Sequence, residues 1–298
     1  MSRPLFSVVI PTYNRAEKLL RALKSLNQQT FPDFEVLVCD DGSTDETRTV
    51  VDEFRSQIRF LDLRYFFESN WGGPAYPRNI GIKKASSDWI CFLDSDDSWY
   101  PEKLETMLLH LDGSDLIYHG VDLIDDSGKS KPLISRQLKY PVFQDLMLKG
   151  HNGRIINSSV CARKEIIEKV DGLSENRLLI GVEDADLWLK ISRYTERFKY
   201  ISKRLGTYHL EGENLTLYNQ NMIDKLQLLF NLHAPYLPND VMRNLAGKTN
   251  NYHLGRIRRI IGDSKNALKL YRSALGSPNH DIAFRSFFWI IFLYCRIK

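Results

Sequence analysis

Short apolar runs alternate with segments of helical spacing along the first two hundred residues, and three of the runs stop abruptly on polar turns. Residues 6–10 (FSVVI) read as a buried strand that breaks at 11–14 (PTYN). Segment 17–27 follows with Leu19, Leu20, Leu23 and Leu26 on one helical face. A second strand, 35–39 (EVLVC), runs into Asp40-Asp41 and then into Ser43-Thr44-Asp45-Glu46, which has the form of a helix capping box. A third strand is expected within 59–67, a short helix over 77–85, and a fourth strand over 89–93. That fourth strand ends in Asp94, Asp96 and Asp97, three carboxylates within four residues. Pro101 suits the first turn of the next helix, and 115–124 reads as a further strand. Strands alternating with helices predict an α/β layer with a mainly parallel sheet. In such a sheet, ligands bind at the carboxyl ends of the strands, where all three polar turns fall.

The chain has 298 residues, 43% hydrophobic and 26% charged, enough for one large or two modest domains. Its four cysteines (Cys39, Cys91, Cys161, Cys295) show no CxxC spacing, which argues against a zinc site and fits a reducing compartment. The start of the chain lacks the long apolar segment of a secretory signal, and no stretch reaches the roughly 20 apolar residues of a membrane span. Charge is uneven. Residues 243–298 hold eleven Lys and Arg against two Asp, a balance of +9 within a total of +4, so the first 242 residues carry −5. After about residue 220 the pattern becomes helical, with helices expected at 222–233, 241–252, 253–261 and 264–275. No stacking platform or recognition motif accompanies the basic tail, so nucleic-acid binding is not expected.

Closely spaced carboxylates repel unless a cation or hydrogen-bond donors compensate. Oxygen ligands select hard divalent ions, and Mg²⁺ typically takes one or two carboxylates together with substrate phosphates. The aspartate cluster therefore points to a metal that helps to hold a diphosphate.

Four stretches in order, FSVVIPTYNR, VLVCDDGSTDET, PRNIGIKKASSDWICFLDSDD and GVEDADLWLK, resemble glycosyltransferase family 2, over roughly residues 4–216. The resemblance implies a GT-A nucleotide-sugar-binding fold at 1–218, with 219–298 as a helical extension. It implies an inverting transferase that moves a sugar from a UDP-sugar donor to an acceptor hydroxyl, with a dTDP-sugar or a non-catalytic binding subunit as alternatives. Pro11, Thr12, Tyr13 and Asn14 match the nucleotide-contacting turn. Asp41 matches the carboxylate that accepts a hydrogen bond from uracil, and Arg78 a base- or phosphate-contacting position. Asp94 and Asp96 form the DxD pair, Asp96 as direct ligand of Mn²⁺ or Mg²⁺ and Asp94 as a ribose or water-bridged contact. Glu183 and Asp184 match the ED pair, with Asp184 as catalytic base and Glu183 as a supporting acceptor contact. Asp186 and Trp188 are expected to orient or pack that helix. The family's Tyr-Arg-x-His-x-x-Asn-x-Ser stretch stands here as TYHLEGENLT. Aligned on Asn214 and Thr216, it leaves His209, Glu211 or neither as third protein ligand. Further expectations are a glycan or lipid-linked acceptor, a role in bacterial surface polysaccharide assembly, and a homodimer. The expected location is cytoplasmic, and 287–295 (FFWIIFLYC), apolar nearly all round, reads either as a peripheral membrane contact with its basic flanks Arg285, Arg296 and Lys298 or as a final helix packed on the core or on a second subunit.

Overall fold

The computed structural model of the chain describes residues 3–150, 155–210 and 218–297, with side chains to residue 295. The chain groups into two compact units. One takes Met1–Leu138, Gly153–Arg177 and Tyr194–Glu213; the other takes Lys139–Asn152, Leu178–Arg193 and Asn214–Lys298. Segments 139–152 and 178–193 thus group with the C-terminal helices rather than with the sheet.

In chain order the elements begin β1 (Phe6–Thr12), α1 (Ala16–Leu26), β2 (Phe34–Asp40), α2 (Thr47–Phe54), β3 (Asp62–Phe67), α3 (Ala75–Lys84), β4 (Trp89–Phe92) and β5 (Ser98–Trp99). Then come α4 (Lys103–Leu108), β6 (Leu116–Ile124), β7 (Ser130–Leu133), α5 (Val142–Lys149), β8 (Cys161–Arg163), α6 (Lys164–Lys169), α7 (Glu183–Ile191) and β9 (Phe198–His209). Four helices close the chain: α8 (Gln220–His233), α9 (Asp240–Ile260), α10 (Ser264–Ala274) and α11 (His280–Ile297).

All the described strands belong to the first unit and form one α/β sheet in the order β3-β2-β1-β4-β8-β6-β9-β5, with β7 added on β6. The run β3-β2-β1-β4 is parallel, so its carboxyl ends share one rim. The strand order reverses between β1 and β4, which makes a topological switch point at that rim. Beyond β4 the sheet is mixed: β8 runs antiparallel to β4 and β6, and β9 pairs in parallel with β6. The expectation of a mainly parallel sheet therefore describes only half of it. The strands that turn it mixed, β5, β7 and β8, are too short to show a period of their own.

Side chains alternate across the sheet, so it is covered twice. Phe6, Val8 and Ile10 of β1 and Val36 and Val38 of β2 are buried with Leu19, Leu23 and Leu26 of α1 and Val51 and Phe54 of α2. On the opposite face, α3 lies so close that a Cβ on Gly81 would stand 2.5 Å from Val9 Cγ1 and 2.9 Å from Cys39 Sγ.

β1 continues through Pro11 to Thr12, two residues beyond the expected break. Proline lacks the N–H that a central strand needs. Val9 and Pro11 direct their backbone groups toward β4, but that ladder ends at Val9 paired with Phe92. The missing donor therefore faces a side where pairing has already stopped, while β2 remains paired as far as Thr12 with Asp40.

In the second unit, α9 is one helix of 21 residues where two were expected. No proline or capping residue separates Tyr252 from His253, so nothing ends the helix there. Gly255 within it admits α10, with Leu270 Cβ 3.2 Å and Tyr271 Cδ1 3.3 Å from where a Cβ would stand. Tyr252, Ala267, Tyr271, Ala274, Ile282 and Leu293 form the buried core of α9, α10 and α11.

Gly81→Ala tests the contact of α3 with the sheet. Val9 is branched and fully buried, so it has no room to move aside. The substitution is expected to destabilise by about 1–3 kcal/mol, read as a lowered urea midpoint at unchanged slope.

Candidate active site

The loops after β1, β2 and β4 converge at the switch point, and side-chain bonds tie them together. Asn14 has φ +48°, a left-handed conformation that asparagine tolerates. Its backbone N–H donates to Ser43 Oγ at 2.8 Å, and its side-chain oxygen accepts from Thr44 N–H at 2.7 Å. Tyr13 beside it is exposed. The capping-box stretch acts through Asp45 instead of Ser43: Asp45 accepts from the backbone N–H and hydroxyl of Thr47 at 3.0 and 2.5 Å, and from Ala16 N–H at 3.1 Å.

Asp40 and Asp41 differ in what they hold. Asp40 accepts from Ser43 N–H at 2.7 Å and from the Tyr65 hydroxyl at 2.5 Å. Asp41 donates its own N–H to Thr12 O at 2.9 Å. Its carboxylate gathers three successive backbone donors, Trp71 at 2.7 Å, Gly72 at 3.0 Å and Gly73 at 3.2 Å. A carboxylate has about four acceptor positions, and among the described residues these backbone donors take three of those of buried Asp41. The same bonds fix the loop that carries Trp71, whose ring stacks on Tyr76 with Arg177 5.5 Å from its centroid.

At the end of β4 the aspartates are compensated by donors. Asp94 Oδ1 accepts from Arg78 at 2.6 Å and from Asn157 Nδ2 at 2.8 Å. Asp96 Oδ2 accepts from Arg15 at 2.6 Å, and its carbonyl accepts from Arg21 at 2.6 Å. Burial and the charge of Asp94 push the Asp96 carboxyl above the ordinary range, opposed by Arg15. Asp97 is fully buried. It accepts from Ser158 Oγ at 2.5 Å and from His209 N–H at 3.0 Å, so it ties the loop to the end of β9. Its carboxyl is pushed well up, first by burial and then by Asp96 and Asp94.

Beneath this loop lies the turn Asn157–Ser159. Ser158 Oγ accepts from Asp94 N–H at 3.0 Å while donating to Asp97, so a single hydroxyl spaces both ends of the DSDD stretch. The Ser158 carbonyl accepts from Trp99 Nε1 at 2.9 Å and from Lys103 Nζ at 2.8 Å. Lys103 is fully buried, with its ammonium 3.3 Å from the centre of the Trp99 ring. Burial pushes its pKa down to about 7, against the opposing influence of Cys91, Cys161 and Asp97.

Among the described residues no group of three or more His, Cys, Asp or Glu is arranged to hold a metal ion. Among the described residues, side-chain donors reach Asp94 Oδ1 and Asp96 Oδ2. Two carboxylates on one loop fit the small protein ligand set of a hard cation whose shell is completed by phosphate oxygens. His209 has its backbone at Asp97 and its Nε2 3.1 Å from Thr207 Oγ1. Glu211, Asn214 and Thr216 lie outside the described residues.

Glu183 and Asp184 open α7 in the second unit. Glu183 is buried and accepts from Gly181 N–H at 2.5 Å, and Asp184 Oδ1 accepts from Ala185 N–H at 2.7 Å. Carboxylates in a first helical turn are favoured by the helix dipole. Asp186 bonds His233 Nε2 at 2.8 Å and Trp188 is buried, so both anchor α7 within its unit.

The family model described as glycosyl transferase family 2 matches residues 7–171, more than half of the chain. The chain belongs to this family. The amylovoran biosynthesis glycosyltransferase AmsB of Erwinia amylovora is 30% identical over 215 residues, covering 69% of each chain. The chain spans about a third of the length of several other curated relatives that it matches. Two solved structures show the shared GT-A fold. Staphylococcus aureus TarS 1–349 in complex with UDP-GlcNAc superposes with TM-score 0.68 at 21% identity, covering 97% of this chain and 89% of that one. The mannosyltransferase PcManGT of Pyrobaculum calidifontis, in complex with GDP-Man and Mn²⁺, superposes with TM-score 0.58 at 17% identity, covering 99% and 87%.

In this family 2 chain, sequence reading found the aspartates but missed what supports them: Arg15, Arg21, Asn157, Ser158 and Lys103. The one legible signal was Asn157-Ser158-Ser159, a polar triplet set between Ile155-Ile156 and Val160. Ser158→Ala is expected to lower affinity for a nucleoside diphosphate in Mn²⁺ about tenfold, while Ser158→Thr, which keeps the hydroxyl, retains most of it. Titration calorimetry checks this. Equal affinities for the parent and both variants would show that the turn does not position the aspartates.

Proposed function

We propose that the chain is a metal-dependent inverting glycosyltransferase, with a UDP-sugar as donor and an acceptor hydroxyl in bacterial surface glycan assembly. The observation that carries this reading is the meeting of the β1, β2 and β4 loops at one switch point, with Arg78 on Asp94 and Arg15 on Asp96. Family membership and the likeness to TarS in complex with UDP-GlcNAc support it. So does the name of AmsB, which places that relative in amylovoran biosynthesis.

In this reading Pro11, Thr12, Tyr13 and Asn14 line the nucleoside, and the Asp41 carboxylate takes the uracil N–H. Arg78 contacts base or phosphate. Asp96 and Asp94, with His209 as a further candidate, hold Mn²⁺ or Mg²⁺. When bound, the ion neutralises charge on the diphosphate. Asp184 takes the proton of the acceptor hydroxyl as that oxygen forms its bond to the anomeric carbon. The bond from that carbon to the diphosphate breaks with its electron pair leaving on the phosphate oxygen, and the configuration inverts. Glu183 supports the acceptor. A lipid-linked acceptor, a homodimer and a peripheral place on the cytoplasmic face of the inner membrane belong to the same reading.

Asp96→Ala is expected to weaken UDP binding in Mn²⁺ at least tenfold more than in EDTA, measured by calorimetry in the two buffers. Identical losses would make Asp96 structural. Asp184→Asn is expected to keep UDP affinity and lose about 10²–10⁴-fold in transfer rate. A variant that transfers as fast as the parent would remove Asp184 as base.

A further inference from the structure

The C-terminal helix divides its apolar residues between two faces. Ile282, Ser286 and Leu293 of α11 are buried against α10 and α9, with Trp289, Ile290 and Phe292 partly buried at the same core. The opposite face carries Phe284, Phe287, Phe288, Ile291 and Tyr294, spaced as one helical stripe. Each of these large side chains is more than half exposed, between 51% and 71%. Five such residues in one row exceed the scattered apolar exposure normal for a protein surface.

The neighbouring helix supplies charge of one sign. On α10, Lys265, Lys269 and Arg272 recur at helical spacing and are exposed. Arg272 lies 5.8 Å from the Tyr294 ring, which places the basic row alongside the apolar stripe. The two acids of this region are paired, Asp263 with Arg258 at 3.2 Å and Asp281 with Arg285 at 3.0 Å. At 18 residues α11 is about 27 Å long, and no helix among the described residues is long and apolar enough to cross a membrane.

We infer that the outward face of α11, bordered by the lysines of α10, is a docking surface for an anionic lipid bilayer. The helix lies in the plane of the interface with its phenylalanines among the acyl chains, and the α10 cations meet the headgroups. This surface has a purpose only if the acceptor is lipid-linked, as in the reading above, but lipid binding is measured without donor or acceptor and so stands or falls separately.

The test is co-sedimentation of the full chain with vesicles of phosphatidylcholine, with and without 30% phosphatidylglycerol, together with sedimentation velocity in the absence of lipid. The parent is expected to partition onto the anionic vesicles and weakly onto the neutral ones. Phe287→Gln/Ile291→Gln, at exposed positions, is expected to lose at least tenfold on both. Lys265→Glu/Lys269→Glu is expected to lose about fivefold per lysine or more on anionic vesicles and nothing on neutral ones. No binding by the parent, or equal binding by all three proteins, would overturn the inference. A dimer that Phe287→Gln/Ile291→Gln dissolves, with no vesicle binding, would assign the face to a second copy and also overturn it.

Discussion

The parallel register of β1 between β2 and β4 is the constraint on which the site depends. Three loops that are distant in sequence share one rim because their strands run the same way and the order reverses beside β1. Pro11 is tolerated at that rim. It stands where β1 has no further partner on the β4 side, so the two strands part and the DSDD loop lies free of the ladder. An N–H at that position would call for a partner that β4 does not extend far enough to provide.

Electrostatics sets the second condition. Asp41, Asp94, Asp96 and Asp97 are brought to one edge of one sheet, where like charges oppose folding. Each is met by donors: backbone N–H groups for Asp41, guanidinium groups for Asp94 and Asp96, and a hydroxyl and a backbone N–H for Asp97. Under the proposed function, the guanidiniums are the donors most readily shared with a diphosphate, because planar forks match phosphate oxygens. Ser158 acts differently. Its hydroxyl spans Asp94 and Asp97, and its carbonyl is held by Trp99 and buried Lys103, so it sets geometry from below.

Much of this was legible from residue order. The alternation of Val- and Ile-rich runs with Leu-spaced segments located β1, α1, β2, α3 and β4 within a few residues, because burial on both faces leaves a continuous apolar signature. Asp94 and Asp96 stood out since polar residues rarely follow such a run without a turn or a ligand. Other features left no local trace. β9 was not among the expected strands: Phe198, Tyr200, Ile201 and Leu205 keep no strict alternation with its polar residues, and its place comes from pairing with β6. The joining of 253–261 to the preceding helix depended on the lack of any breaker, which is a weaker signal than a breaker itself.

The sequence by itself determined the α/β alternation, the family and the carboxylates at strand ends, because these follow from local periodicity and motif order. Only the tertiary structure decided what each carboxylate bonds. Asp41 and Asp97 have the same chemistry in sequence, yet one gathers the Trp71–Gly73 backbone and the other a serine 61 residues away. Likewise the run at 287–295 was apolar nearly all round when read as sequence. Packing on α10 sorted it into a buried side and an exposed side, since partition between core and solvent is fixed by neighbours that chain order does not name.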